Sequence, residues 1–208
     1  MPAATDPSLD PHREINRLLN LVPASGRHKT QLLISNSQAA VLQVPVPRPW
    51  QRQHRLSLNF QLWQQLEQAQ RDLLVLRSVA WVMTVRWLKP EPYQGLMAIG
   101  LLGTGIEFLQ ADFVGLATGV GLTVLGGVQL WRRNHSPQRD LEADSGAIRL
   151  AQRRGYGELG AIEALASALE AVAQLEQRPL SFEELVRCQN LKALARQRAT
   201  GARPSAFP

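Results

Sequence analysis

Residues 93–131 constrain this chain more than any other stretch: they hold no lysine or arginine, only two acids, Glu107 and Asp112, and nine of the fifteen glycines. Within them, "FVGLATGVGLTVLGGVQLW" (113–131) is an uncharged run of about the length needed to cross a bilayer. Glycine costs about 1 kcal/mol per residue in a water-exposed helix, whereas it is common in lipid-embedded ones. The preceding "YQGLMAIGLLGTGIEFLQ" is almost as apolar. Glu107 would cost about 2.5 to 3.5 kcal/mol at mid-membrane, but it lies near the far end of its segment, where the cost falls. This layout predicts an inserted helical hairpin, transmembrane or re-entrant, with its tip at Gln110 to Asp112. Arg86 and Lys89 precede it and Arg132 and Arg133 follow it. All flanking positive charge is therefore on one side, which predicts both termini cytoplasmic. Trp87, Tyr93 and Trp131 fall at headgroup level, and Gly115 and Gly119 form a GxxxG pair that permits close helix contact.

With 208 residues, the chain has room for one ordinary domain around that insert. After a Pro-rich leader over 1–12 with no secretory-signal pattern, Ile15, Leu18, Leu19 and Val22 have the spacing of a short amphipathic helix ending at Pro23 and the turn residues Ser25 and Gly26. "QLLIS" (31–35), "AAVLQV" (39–44) and "RLSLNF" (55–60) read as strands of a small antiparallel sheet, and the proline-rich "VPVPRPW" (44–50) suits a sheet edge or an extended loop. Asn59 has the chemistry of an N-cap, and Leu62, Leu66, Ala69, Leu73, Leu76, Ala80, Met83 and Trp87 line one stripe of a long central helix closed by Lys89 and Pro90. Trp63, Gln70, Leu74, Arg77 and Trp81 form a second, offset line.

Beyond the hairpin three more helices are expected. The first runs to Gly155 as a C-cap, and the third opens on the capping box Ser181–Glu184. The expected division is a folded domain split into 13–92 and 132–198, the membrane hairpin 93–131 between them, and a basic flexible tail from 199. The class is α+β, mostly helical.

A net charge of +6 comes with only 19% charged residues and no stripe of basic and aromatic residues, which argues against nucleic acid. Anionic lipid suits Arg132 and Arg133, and the acid-free group Lys192, Arg196, Arg198 and Arg203. The single Cys188 excludes an intramolecular disulfide and fits a reducing compartment.

In "RDLEADSGAI" (139–148), Leu141, Asp144, Ile148 and Ala151 share a helical line, with Asp140 one turn before Asp144. A carboxylate on an apolar face calls for a cation or a metal, because an isolated buried charge is very costly. Solvated N-terminal aspartates favoured by the macrodipole are the alternative. The stretch resembles the third-ligand helix of the HtpX-type and prenyl-protein-processing membrane zinc peptidases, whose pattern is Arg-Glu-x-x-Ala-Asp. Arg139, Asp140, Ala143 and Asp144 fall on it, and the order of strands, long helix, membrane hairpin and acidic helix is similar too.

That resemblance implies a zincin-like domain. Where those enzymes carry HExxH, the shared order places Arg77, Ser78, Val79, Ala80 and Trp81. Arginine cannot ligate zinc and tryptophan offers only an indole donor, so no metal and no cofactor are expected. Instead Arg77 is expected to pair with Asp140 or Asp144 in place of zinc, with Trp81 filling the space of the second ligand. Over most of its length the chain also resembles a family of uncharacterised membrane-associated proteins of cyanobacteria, through "PASGR", "NFQLWQQL", "QRDLLVLRSVAWV", "AQRRGY" and "RCQNL". That implies a plasma or thylakoid membrane.

The functional expectation is a non-catalytic, membrane-anchored, peptidase-like protein that binds a protein partner or client in assembly or quality control at the cytoplasmic face. Two alternatives stand beside it. One is an active metallopeptidase with a site rebuilt from His54, His135 and Asp140; the other is a structural subunit of a larger membrane complex.

Overall fold

Helix α1 (Pro11–Leu21) begins where Asp10 accepts a hydrogen bond from the His12 N–H and Pro11 supplies a first turn that needs no donor. Its Leu18, and Val22 just beyond it, are fully buried. The leader expected over 1–12 is therefore shorter by the first turn of this helix. The computed structural model describes residues 9–45, 53–84, 95, 98–105, 113–134 and 137–201. Pro23, Ser25 and Gly26 do more than turn the chain: Ala24–Arg27 forms the single-turn α2. A Cβ on Gly26 would lie 2.8 Å from Val79 Cγ1, so only glycine lets α2 pack this close.

Strands β1 (Thr30–Ile34), β2 (Leu42–Gln43) and β3 (His54–Leu58) form one sheet in the order β1-β3-β2. β1 runs parallel to β3, with Leu32 opposite Leu56, and β2 runs antiparallel to it, with Leu42 opposite Leu58. The sheet is mixed, which corrects the antiparallel expectation. Alternation of side chains fixes the face a strand buries and carries no information about direction. Direction comes from the loop between β1 and β2, which is tied to the end of β3. Asn59 donates to the Gln38 carbonyl, Gln38 donates to Ala40 and Ser57 carbonyls, and Asn36 accepts from the Phe60 N–H.

Asn59 caps α3 (Phe60–Trp63), accepting from the N–H groups of Gln61 and Leu62. The expected single long helix is two. After Trp63 the backbone tightens into i→i−3 bonds at Gln65 and Leu66, and the Gln70 side chain accepts from the Glu67 N–H to restart the chain as α4 (Gln68–Thr84). The break turns Trp63 fully inward, where its indole donates to Glu14.

Helix α4 divides two apolar clusters. Leu74, Val75 and Val79 pack with Leu18, the sheet residues Leu32, Leu56 and Leu58, and Trp63. Leu73 and Leu76 pack with Ala147, Ile148 and Ala151 of α7 (Pro137–Gln152), Ile162 and Leu165 of α8 (Glu158–Leu175), and Cys188 and Leu191 of α9 (Phe182–Gly201). Gly155 has φ +93° and ends the turn after α7, where the Tyr156 N–H reaches back to the Ala151 carbonyl. Ser181 and Glu184 form the reciprocal capping box at the start of α9. α9 continues to Gly201, past the point where a loose tail was expected, and Lys192 and Arg198 on it bridge to Glu170 and Glu158 of α8.

These elements belong to one compact unit, residues 1–84 with 140–208; residues 85–139 form a second. The second unit contains a helical stretch over 98–105 (α5) and α6 (Phe113–Asn134). A Cβ on Gly100 would lie 2.7 Å from Thr123 Oγ1 and 2.9 Å from the Thr123 backbone nitrogen, and one on Gly119 would lie 2.9 Å from the Thr104 nitrogen. Two glycines thus set backbone-to-backbone contact between α5 and α6. Thr104 and Thr123 turn their hydroxyls back to the carbonyls of Gly100 and Gly119.

Candidate functional site

Three helices of the first unit bring charge to one place. Arg77 on α4 donates through Nη2 to Asp140 Oδ1 on α7, and its Nε lies 3.5 Å from Asp144 Oδ1, too long for a hydrogen bond. Asp144, 1% exposed, is held by the fork of Arg187 on α9, with Nε at 2.8 Å and Nη2 at 2.7 Å. Bidentate pairing of this kind is the strong form of charge-assisted hydrogen bond. Ala80 stands against Gly146, where an added Cβ would be 3.1 Å away, so α7 can approach α4 closely enough for the pair to form. Burial and the neighbouring Arg187 charge push Arg77 below the usual arginine range, against the pull of Asp144 and Asp140. Two guanidiniums and two carboxylates therefore neutralise one another in a largely dry setting.

Arg77 and Arg187 also line a cavity of about 220 Å³, together with Ser78, Arg178, Glu176 and Glu184. Its apolar walls include Leu42 and Val44 at the sheet edge, Leu74 of α4, and Leu169 and Val172 of α8. Arg178 is clamped by Glu176 at 2.6 Å and by both oxygens of Glu184 at 2.6 and 2.7 Å. Those bonds hold the Glu184 carboxyl down at about 2, against its partial burial. Glu176 in turn accepts from the Val41 N–H just before β2, which fixes the rim of the cavity to the sheet.

A second buried charge cluster braces α1 against α4. Arg17 forks onto Glu14 at 2.8 and 2.9 Å and sits 2.6 Å from Asp72 Oδ1, off the line of a hydrogen bond. Tyr156 donates to Asp72 Oδ2 at 2.6 Å, and Arg71 Nη1 lies 3.5 Å from Glu14. Burial tends to raise Glu14, but the Arg17 hydrogen bonds and charge outweigh it and hold the carboxyl below its ordinary value. Burial and the bond to Asp72 push Tyr156 up to about 12. Each member faces an opposite charge, with Arg71 Nε and Nη1 and Asp72 Oδ1 buried outside hydrogen-bond geometry, and the cluster reads as a structural clamp.

In the second unit the described helices α5 and α6 carry exposed apolar side chains. Ile99, Leu101, Leu102, Val114, Val120, Val124, Leu125 and Val128 are all exposed, Val114 at 77% and Leu102 at 70%, while the buried positions are the glycines Gly100 and Gly119. Among the described residues no helix is long and apolar enough to cross a membrane. The spanning form of the expected hairpin is thus not shown.

The structure brings Arg77, Asp140 and Asp144 together. Trp81 lies one turn beyond Arg77 on α4, half-buried. Arg86, Trp87, Lys89, Tyr93, Glu107 and Asp112 lie outside the described residues, as does His135. So do the surroundings of Gly115 and the side chains of Trp131, Arg132 and Arg133, and the close approach observed is that of Gly119 and Gly100 across α5 and α6. Among the described residues, no group of three or more His, Cys, Asp or Glu is placed to hold a metal ion.

Sequence reasoning missed Arg187, Arg178, Glu176 and the Glu14–Asp72 clamp. A signal was available for two of them. Glu14 sits on the buried line of Leu18 and Val22, and Arg187 stands four residues before Leu191 on the face that buries Cys188. A charged residue on an apolar line announces a partner without naming it.

Residues 16–156 match the family described as "Protein of unknown function (DUF3318)". The chain is also 32% identical over 127 residues to a thylakoid membrane protein of Synechocystis sp., covering 60% of this chain and 59% of that protein. The match therefore spans less than two thirds of that relative's length. No solved structure matches, and the likeness to zinc peptidases is not shown by these comparisons. The matched segment includes α4 with Arg77 and α7 with Asp140 and Asp144, and with it covering more than half of its length, the chain belongs to the DUF3318 family.

Proposed function

We propose that this chain is a membrane-attached, non-catalytic binding protein. Its glycine-rich α5–α6 pair seats in the lipid interface, and its first unit offers an arginine-lined cleft to a protein client. The observation that carries the reading is the described surface of the second unit, where valines, leucines and isoleucine face out and Gly100 and Gly119 face in. A water-facing helix pair has the opposite arrangement, and contiguous exposed apolar surface marks a membrane or protein contact. The Synechocystis relative's thylakoid membrane description supports the same placement. A re-entrant or interfacial hairpin, with both ends on the cytoplasmic side, suits helices of this length and hydropathy.

The test is flotation of the full chain with vesicles of phosphatidylglycerol and phosphatidylcholine. The wild type is expected to float, and the triple variant L102E/V124E/L125E to stay at the bottom of the gradient. A wild type that stays down, or a variant that floats equally, ends the reading.

The pairing of Arg77 with Asp140 and Asp144 supports a more specific reading of the first unit. A fixed guanidinium does there the electrostatic work that a divalent ion does in the resembled peptidases, leaving a cleft for binding without hydrolysis. Purified protein carrying stoichiometric zinc, or chelator-sensitive cleavage of an unfolded membrane client, would overturn it.

A further inference from the structure

Two segments that stand out in the sequence, "PASGR" (23–27) and "AQRRGY" (151–156), meet in the fold at one oxygen. Arg27 Nη2 donates to the Val22 carbonyl at 3.4 Å and to the Asn20 carbonyl at 3.3 Å, and Arg154 Nη2 donates to the same Val22 carbonyl at 3.2 Å. One arginine is enough to cap the carbonyl end of α1. The second sets like charge beside it, at a place where both residues are exposed. Arg17, Arg77, Arg178 and Arg187 each face a carboxylate. Among the described residues neither Arg27 nor Arg154 makes an ion pair, and each donates only through Nη2. The surrounding sequence supplies no counter-charge. Residues 15–66 hold six Lys or Arg and no acid, which accounts for the whole net charge of +6, and 145–157 hold Arg149, Arg153 and Arg154 and no acid. Lys29, exposed two residues after Arg27, extends the patch, and its carbonyl accepts the His54 N–H at 2.6 Å. The backbone beneath is held by Gly26, whose Cα side abuts Val79 and Met83 near the end of α4, where the chain leaves the first unit at Thr84.

We propose that Arg27, Arg154 and Lys29 dock the first unit on the phosphates of an anionic bilayer. A guanidinium fork matches phosphate oxygens, and uncompensated positive charge is drawn to a surface of negative lipid. Charge and position select this occupant. Unlike the cleft of Arg77 and Arg187, the patch has no carboxylate paired with its arginines among the described residues, and it lies by the end of α4 from which the chain continues towards α5 and α6. Apolar insertion together with a basic patch meets the two-part requirement for stable membrane attachment. A polynucleotide is matched by rings that stack on its bases, and Tyr156, the aromatic nearest Arg154 in the chain, donates inward to Asp72. Lys192 and Arg198, the other exposed basic group, are engaged by Glu170 and Glu158. The choice of a bilayer rests on the membrane reading above and goes further, naming the lipid charge that is recognised and the residues that recognise it.

The experiment measures co-sedimentation of the full chain with vesicles of phosphatidylcholine alone and of phosphatidylcholine with phosphatidylglycerol. The wild type should bind the anionic vesicles more tightly, with the excess shrinking as salt rises. R27Q/R154Q should lower that excess by at least about tenfold and bind neutral vesicles as the wild type does, and R27K/R154K should restore most of it. Lys29→Glu, at an exposed side chain with no hydrogen bond among the described residues, should lower the excess with the melting temperature unchanged. K192Q/R198Q, the same change of net charge made on α9, should keep it. Equal binding of both vesicle types by the wild type, an excess untouched in R27Q/R154Q and Lys29→Glu, or an equal loss in K192Q/R198Q overturns headgroup docking and leaves the seating of α5 and α6 standing. Tighter binding of a random-sequence DNA duplex than of anionic vesicles overturns the lipid as partner. A wild type that binds neither vesicle removes this proposal and the membrane reading together, whereas L102E/V124E/L125E should lose binding to both vesicle types and so marks the membrane reading alone.

Discussion

In the unit built from residues 1–84 and 140–208, leucines, valines and alanines fill the interior, and the charged groups among them are paired: Glu14 with Arg17, Asp144 with Arg187. In the α5–α6 pair, Gly100 and Gly119 make the contact, and Ile99, Leu101, Leu102, Val114, Val120, Val124, Leu125 and Val128 stand outside. The two regions use the same residue types in opposite places. A helix packs its apolar face against whatever is least like water: in the first unit that is the rest of the chain, and in the second the neighbouring helix covers only the small residues. Helix association through glycine contacts needs no burial of leucine and suits an apolar surrounding; association in water depends on that burial.

Paired substitutions in the first unit's core and on the exposed face of α5 give the largest effect. Leu165→Asp places an unpaired carboxylate at a fully buried site and should abolish cooperative unfolding of the first unit, a loss of more than about 4 kcal/mol. Leu102→Asp, at an exposed site, should change stability in detergent by less than about 0.5 kcal/mol. Urea titrations followed by circular dichroism separate the two, and equal destabilisation would dissolve the contrast.

Next is the ion cluster. Asp144→Ala strands the buried Arg187 and should cost about 3 to 5 kcal/mol, while Arg77→Ala, at a pair about one-fifth exposed on each side, should cost about 1.5 to 3 kcal/mol. If Arg77→Ala proves the costlier, the roles assigned to the two arginines are reversed. Smaller again is Gly26→Ala, which overpacks against Val79 and should cost about 1 to 3 kcal/mol by urea midpoint.

The smallest effect is a pH dependence. Arg178 holds the folded Glu184 carboxyl at about 2, below its ordinary value, so the stability it adds is present above the unfolded pKa near 4.3 and is lost as pH falls through about 2. Arg178 is more than a third exposed, which limits the contribution to about 1 kcal/mol. Glu184→Gln should lower the melting temperature at pH 6 and by clearly less at pH 2, where the folded carboxyl is about half protonated. A gap unchanged between pH 6 and pH 2 would place the contribution in the cap alone and not in the charge.

Local chemistry was legible where a residue acts on its own neighbours. Asn59 and Ser181 cap helices because short polar side chains reach N–H groups two or three residues on. Asp144 announced a buried cation because it shares a line with Ile148 and Ala151, and Arg77 was readable as that cation only through the order of the elements. The break after Trp63 was not legible, since the apolar stripe continues across it; it comes from Trp63 reaching Glu14, forty-nine residues away. The parallel pairing of β1 and β3 was hidden for a similar reason: Gln38 and Asn59 decide it across the sheet.

By itself the sequence determined the main helical segments, though neither α2 nor the break between α3 and α4, and that residues 93–131 are unlike the rest in composition, because periodicity, capping and composition act over a few residues. Tertiary structure alone decided that Arg187 and not Arg77 takes the deepest carboxylate, that α4 separates two cores, and that a cavity opens beside β2. Those outcomes depend on which distant groups arrive within 3 Å of one another, and a buried charge accepts whichever partner the packing delivers.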